Sequence, residues 1–366
     1  PPVAKGASAE DIKRKLKGRK KILHTIADQY YDYLSTLEII TGTDKDDFID
    51  IERRKNGETK IGVYRIKNGE KSDLVSQRIY RKKDTKEIWI YGLDDEDVFH
   101  VHGKGNNLIY IRIIGGQNND KYRIENGKRL TVYDHKTKKN TLEKKGGATI
   151  RFTDDYEVNS FDKNKEIAKI NTLTPGVGYN PDDGINIGFA NSFQVKGFNR
   201  NPFTTKHTVK AGYYFATNGF DISYEGQFAG VLGKYNLLIG GFFTSPNFSK
   251  NFFGMGNETI NNDEVLEMDF NRVKISKLGV EAGAVKTGEY GGYFSYKAIF
   301  EGIEVDKIEN RFIGNPVFEA IDPEFYDRKY FLSADGIYKY ESYDVVVNPT
   351  NGMKFEINVG GTAHVD

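Results

Sequence analysis

Residues 220–232 read FDISYEGQFAGVL, and the alternation in that stretch decides the fold. Ile222, Tyr224, Phe228 and Leu232 share one face, while Asp221, Ser223, Glu225 and Gln227 share the other. The same dyad returns in residues 291–302, GGYFSYKAIFEG, where Phe294, Tyr296, Ala298 and Phe300 oppose Ser295, Lys297 and Glu301. It returns again in residues 329–340, KYFLSADGIYKY, with Tyr330, Leu332, Ala334, Tyr338 and Tyr340 aligned. A period of two marks a strand with one apolar side. Long, aromatic-rich strands separated by polar turns are the pattern of a transmembrane β-barrel. The expectation is that Phe220, Ile222, Tyr224 and Phe228 face lipid while Asp221, Glu225 and Gln227 face a lumen.

Composition agrees with that reading. The chain has 366 residues, of which 13% are aromatic, with 23 Tyr, 24 Phe and 39 Gly. Tyr and Phe suit interfacial girdles, and Gly relieves crowding in curved strands. Mean hydropathy is −0.60, and no stretch approaches the roughly 20 apolar residues that a membrane helix needs. Positive and negative charges balance at 53 Lys+Arg against 52 Asp+Glu, so no global field points to a nucleic-acid partner. The absence of cysteine removes disulfides, thiolate catalysis and Cys-based zinc sites together. PPVAKGASAED at the start lacks the apolar core of a signal peptide, so on the barrel reading the expectation is that the native N-terminus was removed or lies upstream of Pro1.

Three regions follow from the patterning. Residues 1–38 read as a basic amphipathic helix, with Ser8 and Asp11 as a capping box and Ile12, Leu16, Leu23, Ile26, Ala27, Tyr30, Leu34 and Leu37 at helical spacing. Its basic run from Lys13 to Lys21 suits either a tether touching anionic head groups or a solvated connecting helix. Residues 39–170 read as a soluble β-sandwich or roll. Its short alternating strands include DDFIDIERR, TKIGVYRIK and EIWIYGL, with turns at Asn56-Gly57 and Asn68-Gly69. Residues 171–366 hold about nine longer strands, expected to be the first part of an antiparallel outer-membrane barrel. Single-chain bacterial barrels have an even strand count, so the expectation is that more strands follow Asp366 or that another chain completes the wall.

Candidate chemistry is sparse. Three turns, GTDKDDFIDI from Gly42, GLDDEDVFHV from Gly92 and GGQNNDKYRI from Gly115, each place Asp shortly after Gly with an aromatic just beyond. Such Gly–Asp turns suit calcium-binding β-rolls, which makes Asp94, Asp95, Asp97 and Asp120 the calcium candidates. The competing reading is that Gly and Asp are turn formers, and the copies do not look consecutive. His100 and His102 form an H-x-H on a strand, facing one side, with no acidic partner at a recognisable spacing. No Gly-x-Ser-x-Gly elbow, P-loop or H-E-x-x-H is present, so no catalytic residue and no other cofactor is expected.

Several stretches carry a family resemblance. NFFGMGNET at residues 251–259, preceded by Ser245-Pro246-Asn247-Phe248, resembles a loop-and-strand motif of BamA/TamA-related barrels of the bacterial surface-antigen type. So does Asn348-Pro349-Thr350-Asn351-Gly352-Met353, a form of the N-P-T-x-G turn that opens a strand there. The segment YYDYLSTLEIITGTDKDDFIDIERR, with KEIWIYGLDDEDVFHV and IRIIGGQNNDKY, is similar to the linker that follows a calcineurin-like metallophosphoesterase in fused outer-membrane proteins. The resemblance implies an outer-membrane anchor or translocation pore, with lipid and other complex subunits as partners and the N-terminal region in the periplasm. The alternative it implies is the anchoring half of a metallophosphoesterase lying upstream. That enzyme's metal-binding motifs are absent from this chain, and none of its catalytic residues carries over.

Overall fold

The computed structural model describes residues 7–165, 167–200, 202–254, 256, 259–260, 263–267, 269–288, 291–345 and 347–365. The chain is mostly β with one long N-terminal helix, and it divides into two compact units, residues 1–164 and 165–366.

The first unit opens with α1 (Ala7–Ser35). Asp11 pairs with Arg14 and Lys15 within the helix, and the side chain of its expected capping partner Ser8 lies outside the described residues. The apolar positions Ile12, Leu16, Leu23, Ile26, Tyr30 and Leu34 are exposed. The helix stops where Ser35 and Thr36 hydroxyls bond to the carbonyls of Asp32 and Tyr33, which competes with the helical ladder.

Eleven strands follow: β1 (Leu37–Thr41), β2 (Asp47–Arg53), β3 (Glu58–Lys67), β4 (Glu70–Arg81), β5 (Glu87–Leu93), β6 (Val98–His102), β7 (Tyr110–Gly116), β8 (Lys121–Ile124), β9 (Leu130–Asp134), β10 (Thr141–Lys144) and β11 (Thr149–Phe152). They form two sheets, ordered β1-β5-β7-β9-β11 and β10-β8-β6-β2-β3-β4. Apart from the β2-β3-β4 meander, every neighbour is parallel. The chain therefore alternates between the sheets, one strand in each per coil, and successive coils stack. Of the sandwich and the roll, the unit is a roll. Its core fills the space between the sheets with Ile49, Ile51, Ile88, Ile90, Phe99, Val101, Ile111, Ile113, Tyr122, Ile124 and Val132, nearly all fully buried. Strand alternation then sends Asp50, Glu52, His100 and His102 to the outer face.

The second unit is one nine-stranded sheet in sequence order: β12 (Ala168–Asn180), β13 (Gly184–Lys196), β14 (Thr205–Tyr214), β15 (Gly219–Leu232), β16 (Tyr235–Asn251), β17 (Arg272–Thr287), β18 (Gly292–Val305), β19 (Lys329–Tyr343) and β20 (Gly352–Val365). Every pair is antiparallel. Among the described residues β12 and β20 are each paired on one side only, so no closed barrel is formed. The Ser245-Pro246-Asn247-Phe248 stretch sits where the β16–β17 register slips between Thr244 and Phe248, a bulge that accommodates a proline without a ladder donor. The Asn348–Asn351 turn leads into β20 at Gly352, whose φ of 135° suits glycine. Met255, Asn257 and Glu258 of the other quoted motif lie outside the described residues.

The ends of this sheet differ. Segments 197–204, 233–234, 288–291 and 344–351 connect strands at one end, where β12 also begins. At the other, 181–183 and 215–218 are joined by the long connections 252–271 and 306–328. The long pair builds its own small core, with Phe252, Phe312, Phe325 and Tyr326 packed on Val273, Ile313 and Phe318.

Candidate functional site

The Gly–Asp turns prove to be consecutive coils of the roll. The hairpin of β3 and β4 is looped out between β2 and β5, so the Gly42 turn stacks directly on the Gly92 turn, and that on the Gly115 turn. Copies that look separated in sequence are therefore neighbours in space. A ladder of side-chain to backbone hydrogen bonds joins them. The Asp47 N–H donates to Asp97 Oδ1 at 2.9 Å, the Asp97 N–H to Asp120 Oδ1 at 2.8 Å, and the Asp120 N–H to Asn140 Oδ1 at 2.9 Å. The rungs need glycine beside them. A Cβ at Gly92 would collide with the Asp97 carboxylate and the Gly115 carbonyl, and one at Gly115 with Asp120, Tyr122 and Asp134.

Of the four calcium candidates, Asp97 and Asp120 are buried rungs of this ladder, each about 1% exposed. Asp94 and Asp95 lie out on the turn, where Asp94 Oδ1 accepts from the Asp95 N–H and the Asn118 amide. The structure thus brings Asp97 and Asp120 together and leaves Asp94 and Asp95 apart from them. Burial, then the neighbouring Asp120 carboxylate, pushes the Asp97 carboxyl up to about 9. Asp120 and Asp134 are raised for the same first reason, burial. With Asp97 pushed to about 9 and Asp120 to about 8, this pair favours the neutral form at pH 7 over a preformed anionic cage.

A second constellation emerges on the outer face. Parallel pairing of β2 with β6 sets Asp50 opposite His100 and Glu52 opposite His102. Asp50 Oδ1 lies 3.4 Å from His100 Nδ1 and 3.2 Å from His102 Nε2. The two imidazoles stack with centroids 4.6 Å apart and planes 19° apart. Asp50 Oδ2 accepts from Lys71 Nζ at 3.2 Å, and that ammonium also lies over the Phe48 and Tyr64 rings. Glu52 is held by Arg54 at 2.6 Å. Each residue of the trio is about a quarter exposed, at 25% to 30%. Burial chiefly, and then the adjacent His102, lowers the His100 pKa, favouring the neutral ring. Among the described residues these are the three His, Asp or Glu side chains gathered closely enough to hold a metal ion, with all ligand atoms within 4.8 Å. The sequence supplied the two histidines, and pairing with a strand fifty residues earlier supplied the carboxylate. The signal was present: Asp50, His100 and Arg123 fall at the same distance after Gly42, Gly92 and Gly115, and they are register partners.

The third feature is the surface of the nine-stranded sheet. Phe220, Ile222 and Tyr224 are 47%, 48% and 37% exposed, whereas Asp221, Ser223 and Glu225 between them are half-buried. Phe228 is half-buried, edge-on to His207. One register row, Val209–Tyr224–Gly241–Val280–Phe300–Leu332–Ala363, carries the apolar band across seven strands. On the other side, Lys297 Nζ pairs with Glu281 at 2.9 Å. No helix among the described residues is long and apolar enough to cross a membrane. Compared with known proteins, the chain matches no family model and no curated protein.

Proposed function

We propose that the chain is a bacterial outer-membrane protein of the surface-antigen assembly or translocation type, with residues 165–366 supplying barrel wall and the β-roll held in the periplasm. The observation that supports this most is the reversed polarity of β15 and β17–β19, where large apolar side chains are the exposed set while the polar and charged ones between them are half-buried or buried. Water would penalise that face by about 25 cal/mol per Å² of exposed apolar area, and hydrocarbon would not. Strands of 10 to 17 residues meet or exceed the roughly 9–11 that a tilted strand needs to cross. Both long connections, 252–271 and 306–328, lie at the same end of the sheet, as the extracellular loops of such barrels do. In hydrocarbon each unpaired edge group costs several kcal/mol, so a functional wall requires partners for β12 and β20.

A second reading, in which this wall anchors a metal-dependent phosphoesterase, draws on the linker-like sequence of the first unit and shares the same membrane commitment. The test is folding into lipid vesicles. Val280, 58% exposed in the middle of the apolar row, is changed to Arg, with Glu301→Gln on the opposite face as control. Val280→Arg is expected to weaken bilayer folding by about 2–4 kcal/mol, the depth-dependent cost of a lipid-facing cation, and the control to change it little. Recovery of the wild-type chain in the aqueous fraction, with Val280→Arg no less stable, would overturn the proposal.

A further inference from the structure

We propose that Asp50, His100 and His102 form a binding site for a divalent transition-metal ion of the zinc class on the outer face of the β-roll. The geometry carries this independently of the membrane reading. A tetrahedral zinc ion with ligands at 2.0–2.2 Å sets its donor atoms about 3.4 Å apart along each edge. Asp50 Oδ1 already stands 3.4 Å from His100 Nδ1 and 3.2 Å from His102 Nε2. One ligand atom from each of the three residues lies within 4.8 Å of the others, and binding requires the two stacked rings, now 19° apart in plane, to turn out of their stack so that both lone pairs meet one ion. Two imidazole nitrogens and a carboxylate oxygen suit zinc and its neighbours in the first transition row rather than calcium or magnesium, which prefer all-oxygen shells.

The supports are fixed on both sides. The histidines project from one strand two residues apart, and β2 holds the carboxylate in register with them. Lys71 takes the other carboxylate oxygen, which orients Oδ1 toward the rings, as partners of metal-bound carboxylates do. Three protein donors leave a fourth position for water or a small anion, and the partial exposure of all three gives the ion a path from solution.

The experiment uses the full chain in detergent micelles, stripped of metal, with Zn²⁺ as the calorimetric probe and Co²⁺ as the spectroscopic one. The expected result is one saturable equivalent of Zn²⁺ per chain. Co²⁺ should give the visible d–d bands of a tetrahedral site, abolished by excess Zn²⁺. His102→Ala and the isosteric Asp50→Asn should each weaken Zn²⁺ binding at least tenfold. Both must retain the wild-type metal-free melting curve, read by the fluorescence of Trp89, so that lost binding is not lost folding. The absence of a saturable equivalent in the wild type would overturn the site. So would unchanged Zn²⁺ affinity in the well-folded double variant His100→Ala/His102→Ala.

Discussion

Replacing Asp97 by Asn should separate the two roles of the buried ladder, because Asn already occupies its last rung. Asp97 Oδ1 accepts the Asp47 N–H at 2.9 Å in a fully buried setting, as Asn140 Oδ1 does for Asp120. An Asn at position 97 retains an acceptor there and loses only the titrating acid. In the folded chain the Asp97 carboxyl sits at about 9 against an ordinary 3.8, so folding takes up a proton at neutral pH. Its contribution to stability is complete below about pH 4 and is lost as pH rises toward 9, at up to about 1.4 kcal/mol per pH unit. Asp97→Asn removes that slope. Between pH 5 and pH 8 the variant should therefore gain on the wild type by up to about 4 kcal/mol. Asp97→Ala removes the slope as well, but it leaves the Asp47 N–H buried without an acceptor. It should lie about 1–3 kcal/mol below Asp97→Asn at every pH. Trp89 provides the assay. It is the chain's one tryptophan and is 2% exposed within the roll, so its fluorescence in urea titrations reports on this unit. A stability difference between Asp97→Asn and wild type that stays flat from pH 5 to pH 8 would refute the protonated ladder. Equal stability of the Ala and Asn variants would refute the rung.

Two further outcomes bear on the same column. Gly92→Ala should destabilise the roll by about 1–3 kcal/mol through overpacking, because its Cβ meets the Asp97 carboxylate and the carbonyl of the next coil; wild-type unfolding in urea would show that the coils are not stacked this closely. Calcium added to the metal-free chain should leave the Trp89-detected melting temperature unchanged, since Asp97 and Asp120 already serve as acceptors for backbone N–H groups. A rise of several degrees, reversed by chelator as mass action requires, would restore Asp94, Asp95, Asp97 and Asp120 as ligands.

The longer strands of both units are legible in the sequence because period-two alternation is a local signal. The hairpin turns at Asn56-Gly57 and Asn68-Gly69 are equally local: both asparagines take positive φ, 60° and 54°, as such turns demand. Partnership is not local. Nothing within β5 says that it pairs in parallel with β1 and β7. The coil repeat that would have said so is broken by the β3–β4 hairpin, and β8, β10 and β11 are only four residues each, too short for alternation to register.

The same reasoning explains why the metal site was half visible. His100 and His102 share a face by strand geometry alone, whereas Asp50 joins them only because the Gly42 and Gly92 turns stack. Once the turns are aligned, each position after the glycine acquires one neighbour per coil, and the outward column reads Asp50, His100, Arg123. The inward column reads Ile49, Phe99, Tyr122 and is buried throughout. A stacked roll therefore writes chemistry vertically: residues far apart in the chain meet whenever they occupy equal offsets from a structural glycine. The inward column fixes the stacking by burial, which leaves the outward column free to vary. A carboxylate above two imidazoles in that free column is not required by the packing, since Val98 and Lys121 occupy neighbouring outward positions of the same strands. That freedom is what makes Asp50, His100 and His102 informative, where the buried aspartates of the ladder are explained by the fold itself.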